Sequence, residues 1–112
     1  MVVTTRHIGD ALIVDLSGRL TMGDPATRLR EAICRGLEDG QRKFVVSLAG
    51  CDYVDSAGIG ELATALVRIH NAGGQLRLLK LTTRVHDLLR ITKLQPVFER
   101  HQDETEALES MR

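Results

Sequence analysis

An acid, a hydroxyl and two glycines occur together between Asp55 and Gly60, in the run DSAGIG. The segment before this run, 43–48, is strand-like and the segment after it has helical spacing, which predicts a strand-to-helix junction. Asp55 and Ser56 are both of a type that caps helix N-termini by accepting bonds from free backbone N–H groups. Gly58 and Gly60 each cost about 1 kcal/mol relative to alanine in a helix, but they leave the backbone bare for another molecule. We therefore expect a binding surface here.

Ser56, at the predicted strand-to-helix junction, is a candidate catalytic nucleophile. The residues around it lack the glycine that precedes the serine by two positions in Gly-x-Ser-x-Gly elbows. His70 lies on the same predicted helix, about four turns along and roughly 20 Å away by helical rise, and cannot be the base of that serine. His86 or His101 could approach it only through folding. We expect no catalytic residue and a protein that is not an enzyme.

Metal and cofactor sites are not expected either. The four histidines are scattered, without an i,i+4 pair or a neighbouring cysteine, so they lack the spacing of metal ligands. Gly58 and Gly60 are not followed by a third spaced glycine or by Gly-Lys-Ser/Thr, so they do not form a common phosphate-binding loop. The sequence predicts no bound cofactor.

The remaining chemistry at Ser56 is acceptance of a phosphoryl group. A helix N-terminus tolerates a phosphate because its free N–H groups and the helix dipole both favour negative charge. Modification would add about −1.5 to −2 charges and three acceptor oxygens without disturbing the fold. A partner docked over Gly58 and Gly60 would then meet bulk and charge where bare backbone had been. The pattern predicts a switch for binding that needs no conformational change.

Composition narrows the class of partner. The chain has 112 residues, 43% hydrophobic and 27% charged, as in an ordinary globular protein. Fifteen basic and fifteen acidic side chains cancel, and aromatic residues are scarce, so we expect no direct nucleic-acid partner. The N-terminus lacks a secretory signal and no segment is apolar enough for membrane insertion, which predicts a cytoplasmic protein. Cys34 and Cys51 are expected to stay reduced.

The periodicity predicts the element order ββαβαβαβα. Strands are predicted at Val2–Ile8, Ala11–Leu16, Phe44–Leu48, Leu76–Leu81 and, as a short edge strand, Val97–Phe98; helices are predicted after Asp24 and Asp55, after Thr82 or Thr83, and from Asp103. Strands joined by helical crossovers pair in parallel, whereas the opening hairpin must be antiparallel. We expect residues 1–112 to form a single compact α/β domain, with a mixed sheet of four or five strands and about four helices.

The motif Asp-Ser-x-Gly-x-Gly at Asp55–Gly60 resembles the signature of bacterial anti-sigma factor antagonists, which are STAS domains. The resemblance includes the preceding strand Phe44–Leu48 and the helix that ends in Asn-Ala-Gly-Gly at 71–74. It extends over nearly the whole chain, through the strand Leu76–Leu81 to the segment around Pro96. The resemblance implies a STAS-like fold.

In that family the unphosphorylated antagonist binds an anti-sigma factor, a serine kinase of the GHKL type, and so frees a sigma factor. The kinase inactivates the antagonist by phosphorylating the serine after the aspartate, and a serine phosphatase reverses this. The resemblance implies that Ser56 is the phosphorylated residue. It places Asp55, Ala57, Gly58 and Gly60 with Ser56 in the partner-binding surface. Family members often carry Ser or Thr where this chain has Ala57. The alanine removes an alternative acceptor for the phosphoryl group.

Two alternative functions use the same fold. STAS domains also occur as subunits of lipid-transport ABC systems and in stressosome-type scaffolds. The transport alternative does not require a working phosphoserine. The intact Asp55-Ser56 pair with two following glycines favours the phosphorylation switch.

Overall fold

The computed structural model describes residues 1–112 and contains five strands, four α-helices and one short 3-10 helix at Gln95–Val97. The strands are β1 Val2–Ile8, β2 Ala11–Leu20, β3 Lys43–Val54, β4 Gln75–Leu79 and β5 Glu99–His101; the helices are α1 Asp24–Glu38, α2 Ser56–Asn71, α3 Thr83–Ile91 and α4 Glu104–Glu109. The predicted order of elements is confirmed.

The strands form one mixed sheet in the spatial order β1-β2-β3-β4-β5. β1 and β2 pair antiparallel as a hairpin, whereas β2, β3, β4 and β5 pair in parallel. Helices α1, α2 and α3 make the crossovers that parallel neighbours require. The α/β class and the mixed sheet with an opening hairpin are therefore confirmed.

Alternating side chains of the sheet form two apolar layers of unequal size. The larger cluster contains 21 buried residues and joins one face of the sheet to the inner faces of α1, α2 and α3. The smaller cluster joins the opposite face, including Ile13 and Val45, to Ala107 and Met111 at the C-terminal helix. β3 is covered on both sides, as its continuous apolar sequence predicts. The continuously buried part of β3 is residues 44–48, and the strand then continues to Val54, just before α2.

β2 and β3 are longer than predicted. β2 continues to Leu20 and β3 to Val54, and these extensions pair with each other across two register irregularities. The glycines at 18 and 50 are typical of turns, but here they accompany the irregular pairing of a continuing ladder. Only residues 21–23 therefore connect β2 to α1.

Three other boundaries differ from the prediction. Asp24 is not the N-cap of α1: Gly23 takes that position with φ 90°, and the Asp24 carboxylate accepts a bond from Arg28 within the first turn. β4 ends at Leu79, because Lys80 turns away with φ 57°. The edge strand lies at Glu99–His101, after the proline-containing 3-10 helix.

Candidate functional site

Asp55 is the N-cap of α2 and joins it to the end of β2. Its Oδ1 accepts a hydrogen bond from the Gly58 N–H at 2.8 Å, and its Oδ2 accepts one from the Met22 N–H at 3.1 Å. The Asp55 N–H donates to the Leu20 carbonyl at 3.2 Å. The predicted cap is confirmed. The bond to Met22 was not predicted, because no local pattern links residues 33 positions apart.

The same bonds favour the ionised form of the Asp55 carboxyl group. The Gly58 N–H has the largest effect and holds the pKa of Asp55 below its ordinary value of 3.8. Partial desolvation raises the pKa, whereas the N–H groups of Met22 and Ala57 lower it further. The net effect is a permanent carboxylate at neutral pH, whose two oxygens are engaged by the chain itself.

Replacing Asp55 with alanine is expected to lower the free energy of unfolding by about 1 kcal/mol or somewhat more at neutral pH, because an N-cap and a tie between two segments are lost. The pKa of the folded state is depressed, so the carboxylate stabilises the fold above pH 3.8. This contribution is lost as the pH falls through the lower pKa of the folded state. Urea unfolding of wild type and variant between pH 7 and pH 3 should show the difference shrinking in acid.

Thr82→Ala is the matched control for the pH dependence. Thr82 caps α3 by accepting from the Val85 N–H at 3.3 Å, and its hydroxyl carries no charge. Its cost should stay constant over the same pH range. If the loss in free energy of unfolding caused by Asp55→Ala is also independent of pH, the proposed role of the carboxylate is contradicted.

Ser56 is the first residue of α2 and is exposed. The prediction that it shares the cap is wrong, because Asp55 alone accepts the bond from the first turn. Ser56 is thus not required for the helix start, and its hydroxyl faces solvent beside the exposed Ala57. The arrangement leaves Ser56 open to modification without loss of a structural bond.

The two glycines of the motif have different roles. Gly58 is buried, and a Cβ there would overlap the Leu20 carbonyl oxygen and lie 3.0 Å from side-chain carbons of Leu20 and Val54. The prediction that Gly58 clears a partner's approach is therefore wrong: it lets α2 pack directly on the end of β2. Gly60 is exposed, and a Cβ added to it would have no atom within 4 Å. Only Gly60 presents bare backbone at the surface.

Apolar side chains lie near Ser56. A shallow groove of about 280 Å³ contains Ser56 and Asp55 together with Leu88 and Ile91 from α3. Ile91 is 74% exposed. The backbone of Met22 is bonded to Asp55, and the Met22 side chain is 77% exposed. Large exposed apolar side chains are candidates for contacts with another protein.

A cationic stack lies next to the same groove. The guanidinium carbons of Arg19 and Arg84 lie 4.6 and 5.1 Å from the centre of the Tyr53 ring, within the range of cation–π interactions. Tyr53 and Arg84 also line the groove with Ser56. Sequence reasoning missed this cluster, because its members come from β2, β3 and α3 and share no spacing.

The groove offers no partner for nucleophilic catalysis. No histidine lines it. His86 lies instead near Arg100, and His101 is in β5.

The chain has no group of three or more His, Cys, Asp or Glu side chains arranged to hold a metal ion. Cys34 and Cys51 are not joined in a disulfide. None of the helices is both long and apolar enough to cross a bilayer.

The chain belongs to the STAS domain family. The model of that family matches residues 2–107, which include all five strands and the motif at Asp55–Gly60. The match confirms the resemblance on which the sequence-based hypothesis rests. A search of curated protein sequences gives no match.

Solved structures with the same fold include anti-sigma factor antagonists. The protein tm1081 of Thermotoga maritima, described as a candidate antagonist, superimposes with a TM-score of 0.90 at 22% identity, over 98% of this chain and 94% of its own. An antagonist from Mycobacterium paratuberculosis gives 0.87 at 20% identity, over 99% and 93%. The Bacillus cell fate determinant SpoIIAA in its phosphorylated form gives 0.76 at 17% identity, over 99% and 100%.

Proposed function

We propose that this protein is a cytoplasmic anti-sigma factor antagonist that acts by binding and not by catalysis. Its unphosphorylated form binds an anti-sigma factor, a serine kinase of the GHKL type, and frees a sigma factor. Phosphorylation of Ser56 stops this binding, and a serine phosphatase restores it. The observation that carries the proposal is the exposed hydroxyl of Ser56, which the helix cap does not use.

The proposed docking surface surrounds Ser56. It comprises the exposed residues Ser56, Ala57 and Gly60 on α2, together with Ile91 from the groove and Met22, whose backbone is bonded to Asp55. Gly60 allows a partner to reach the helix backbone. Asp55 and Gly58 support the surface from within, because the carboxylate and the glycine set the position of the helix start.

The proposed reaction joins the Ser56 Oγ to the γ-phosphorus of ATP. The bond between that phosphorus and the bridging oxygen breaks, ADP leaves, and the hydroxyl proton is released. The product adds about −1.5 to −2 charges at the centre of the docking surface. An apolar partner surface seated over Met22 and Ile91 would have to desolvate this dianion, which disfavours the complex.

Phosphorylation by a candidate anti-sigma kinase from the same organism tests the proposal. With ATP present, intact mass analysis should show the gain of one phosphate on the wild type and none on Ser56→Ala. Ser17→Ala is the matched control, because Ser17 is also exposed but lies in β2; this variant should be modified like the wild type. Absence of phosphate on the wild type, or its persistence in Ser56→Ala, would count against the assignment.

A further inference from the structure

Ser56 and Arg84 approach the same groove from different helices. Ser56 opens α2, and Arg84 is the second residue of α3. Both line the shallow groove of about 280 Å³, which Tyr53 also lines. A phosphate on Ser56 would enter this groove or stand at its rim, within the region that the Arg84 side chain already borders.

Arg84 contacts the Tyr53 ring but forms no ion pair. Its guanidinium lies over Tyr53, whose ring also carries the guanidinium of Arg19. Neither arginine forms an ion pair: the nearby Asp87 is paired with Arg90 at 2.8 Å, and the oxygens of Asp55 accept backbone bonds.

The remaining acid beside the stack is Asp52. It lines a second shallow pocket with Arg19, Tyr53 and Arg84, and this pocket shares Tyr53 and Arg84 with the groove that contains Ser56. Two positive charges on one ring repel each other, and an anion between or beside them would relieve this repulsion. The two guanidinium groups therefore favour an added negative charge at the edge of the groove that Arg84 and Tyr53 line.

We propose that Arg84 binds the phosphate of phosphorylated Ser56, with Arg19, which contacts the same Tyr53 ring, adding positive charge. A guanidinium donates two parallel hydrogen bonds to phosphate oxygens, which is a strong and well-oriented contact. The clamp rests on the proposed phosphorylation of Ser56 and adds a second element to the switch. Phosphate and arginine together would close the groove beside Leu88 and Ile91, so that a partner loses apolar contact area as well as meeting charge.

The test uses the protein with phosphoserine incorporated at position 56 during synthesis, so that no kinase is needed. Phosphorus-31 NMR titration measures the second pKa of the phosphoserine. In the otherwise wild-type chain it should lie below about 6, its ordinary value. Arg84→Gln should raise it by about 0.5 or more, because a facing positive charge has been removed. Arg84→Lys keeps the charge without the planar fork and should give an intermediate value.

Arg35→Gln is the matched control. Arg35 is also exposed and its removal changes the net charge equally, but it lies in α1, at a different groove of the molecule. This variant should titrate like the wild type. An unchanged pKa in Arg84→Gln, or an equal rise in Arg35→Gln, would overturn the clamp while leaving the proposed function standing. If no kinase modifies Ser56, the proposed function fails, whereas a phosphoserine pKa that responds to Arg84 would still support the phosphate contact.

Discussion

Gly58→Ala is expected to lower the free energy of unfolding by on the order of 2–3 kcal/mol, the cost of overpacking a well-filled site. The added methyl would overlap the Leu20 carbonyl oxygen, which is backbone and cannot rotate away. It would also press on Val54 at the end of β3. Either α2 must shift or the strand ends must move apart. Thermal melting should show a decrease in Tm of roughly 10 °C for a domain of this size.

Gly60→Ala is the matched control for this prediction. Gly60 lies in the same helix, two residues further on, but a methyl there meets no atom within 4 Å. Because alanine is the better helix former, this variant should be more stable than the wild type by up to about 1 kcal/mol. Urea unfolding of the two variants should therefore move in opposite directions. A Gly58→Ala protein as stable as Gly60→Ala would show that α2 does not pack on β2 as described.

The second large effect concerns binding. Ser56→Asp is expected to weaken the affinity for the anti-sigma kinase by at least tenfold, or about 1.4 kcal/mol, because it places a negative charge in the docking surface. The free energy of unfolding of this variant should be unchanged or slightly higher, since an acid in the first turn of a helix suits the helix dipole. Isothermal titration calorimetry with the purified kinase measures the affinity, and urea unfolding measures the stability.

Ser56→Asn separates charge from bulk. Asparagine has nearly the shape of aspartate but is neutral, so its affinity should lie close to that of the wild type. Ser56→Ala should bind as well as the wild type, because the Ser56 hydroxyl makes no contact that the helix needs. If Ser56→Asp binds like Ser56→Ala, negative charge at this position does not control the complex. If Ser56→Asp unfolds, the residue has a structural role that the cap at Asp55 does not explain.

The order of elements could be predicted because each carries a local signal. Asp55 stands directly before a helical repeat, which identifies it as a cap. The apolar run around Val45 indicates a strand covered on both faces, and that is where β3 lies. The lengths of β2 and β3 could not be predicted in the same way. Their final residues pair with each other despite intervening glycines, so cross-strand hydrogen bonds outweigh weak strand propensity.

The site was predicted in part. The importance of Asp55 and the exposure of Ser56 follow from local sequence, because caps and helix starts are local structures. The role of Gly58 could not be predicted from local sequence. A glycine that is exposed to a partner and a glycine that packs against Leu20 of the same chain look alike in a sequence. Arg19 and Arg84 meet at Tyr53 only through the tertiary fold. Such contacts have no periodicity to reveal them.

The proposed switch can be measured as the affinity of the anti-sigma kinase for this protein before and after stoichiometric phosphorylation at Ser56. Calorimetry with the two forms, at one salt concentration and without ATP, compares binding alone. We expect tight binding of the unphosphorylated form and at least tenfold weaker binding of the phosphorylated form, while the phosphorylated form should be at least as stable as the unphosphorylated one. Equal affinity of the two forms would contradict the switch at Ser56.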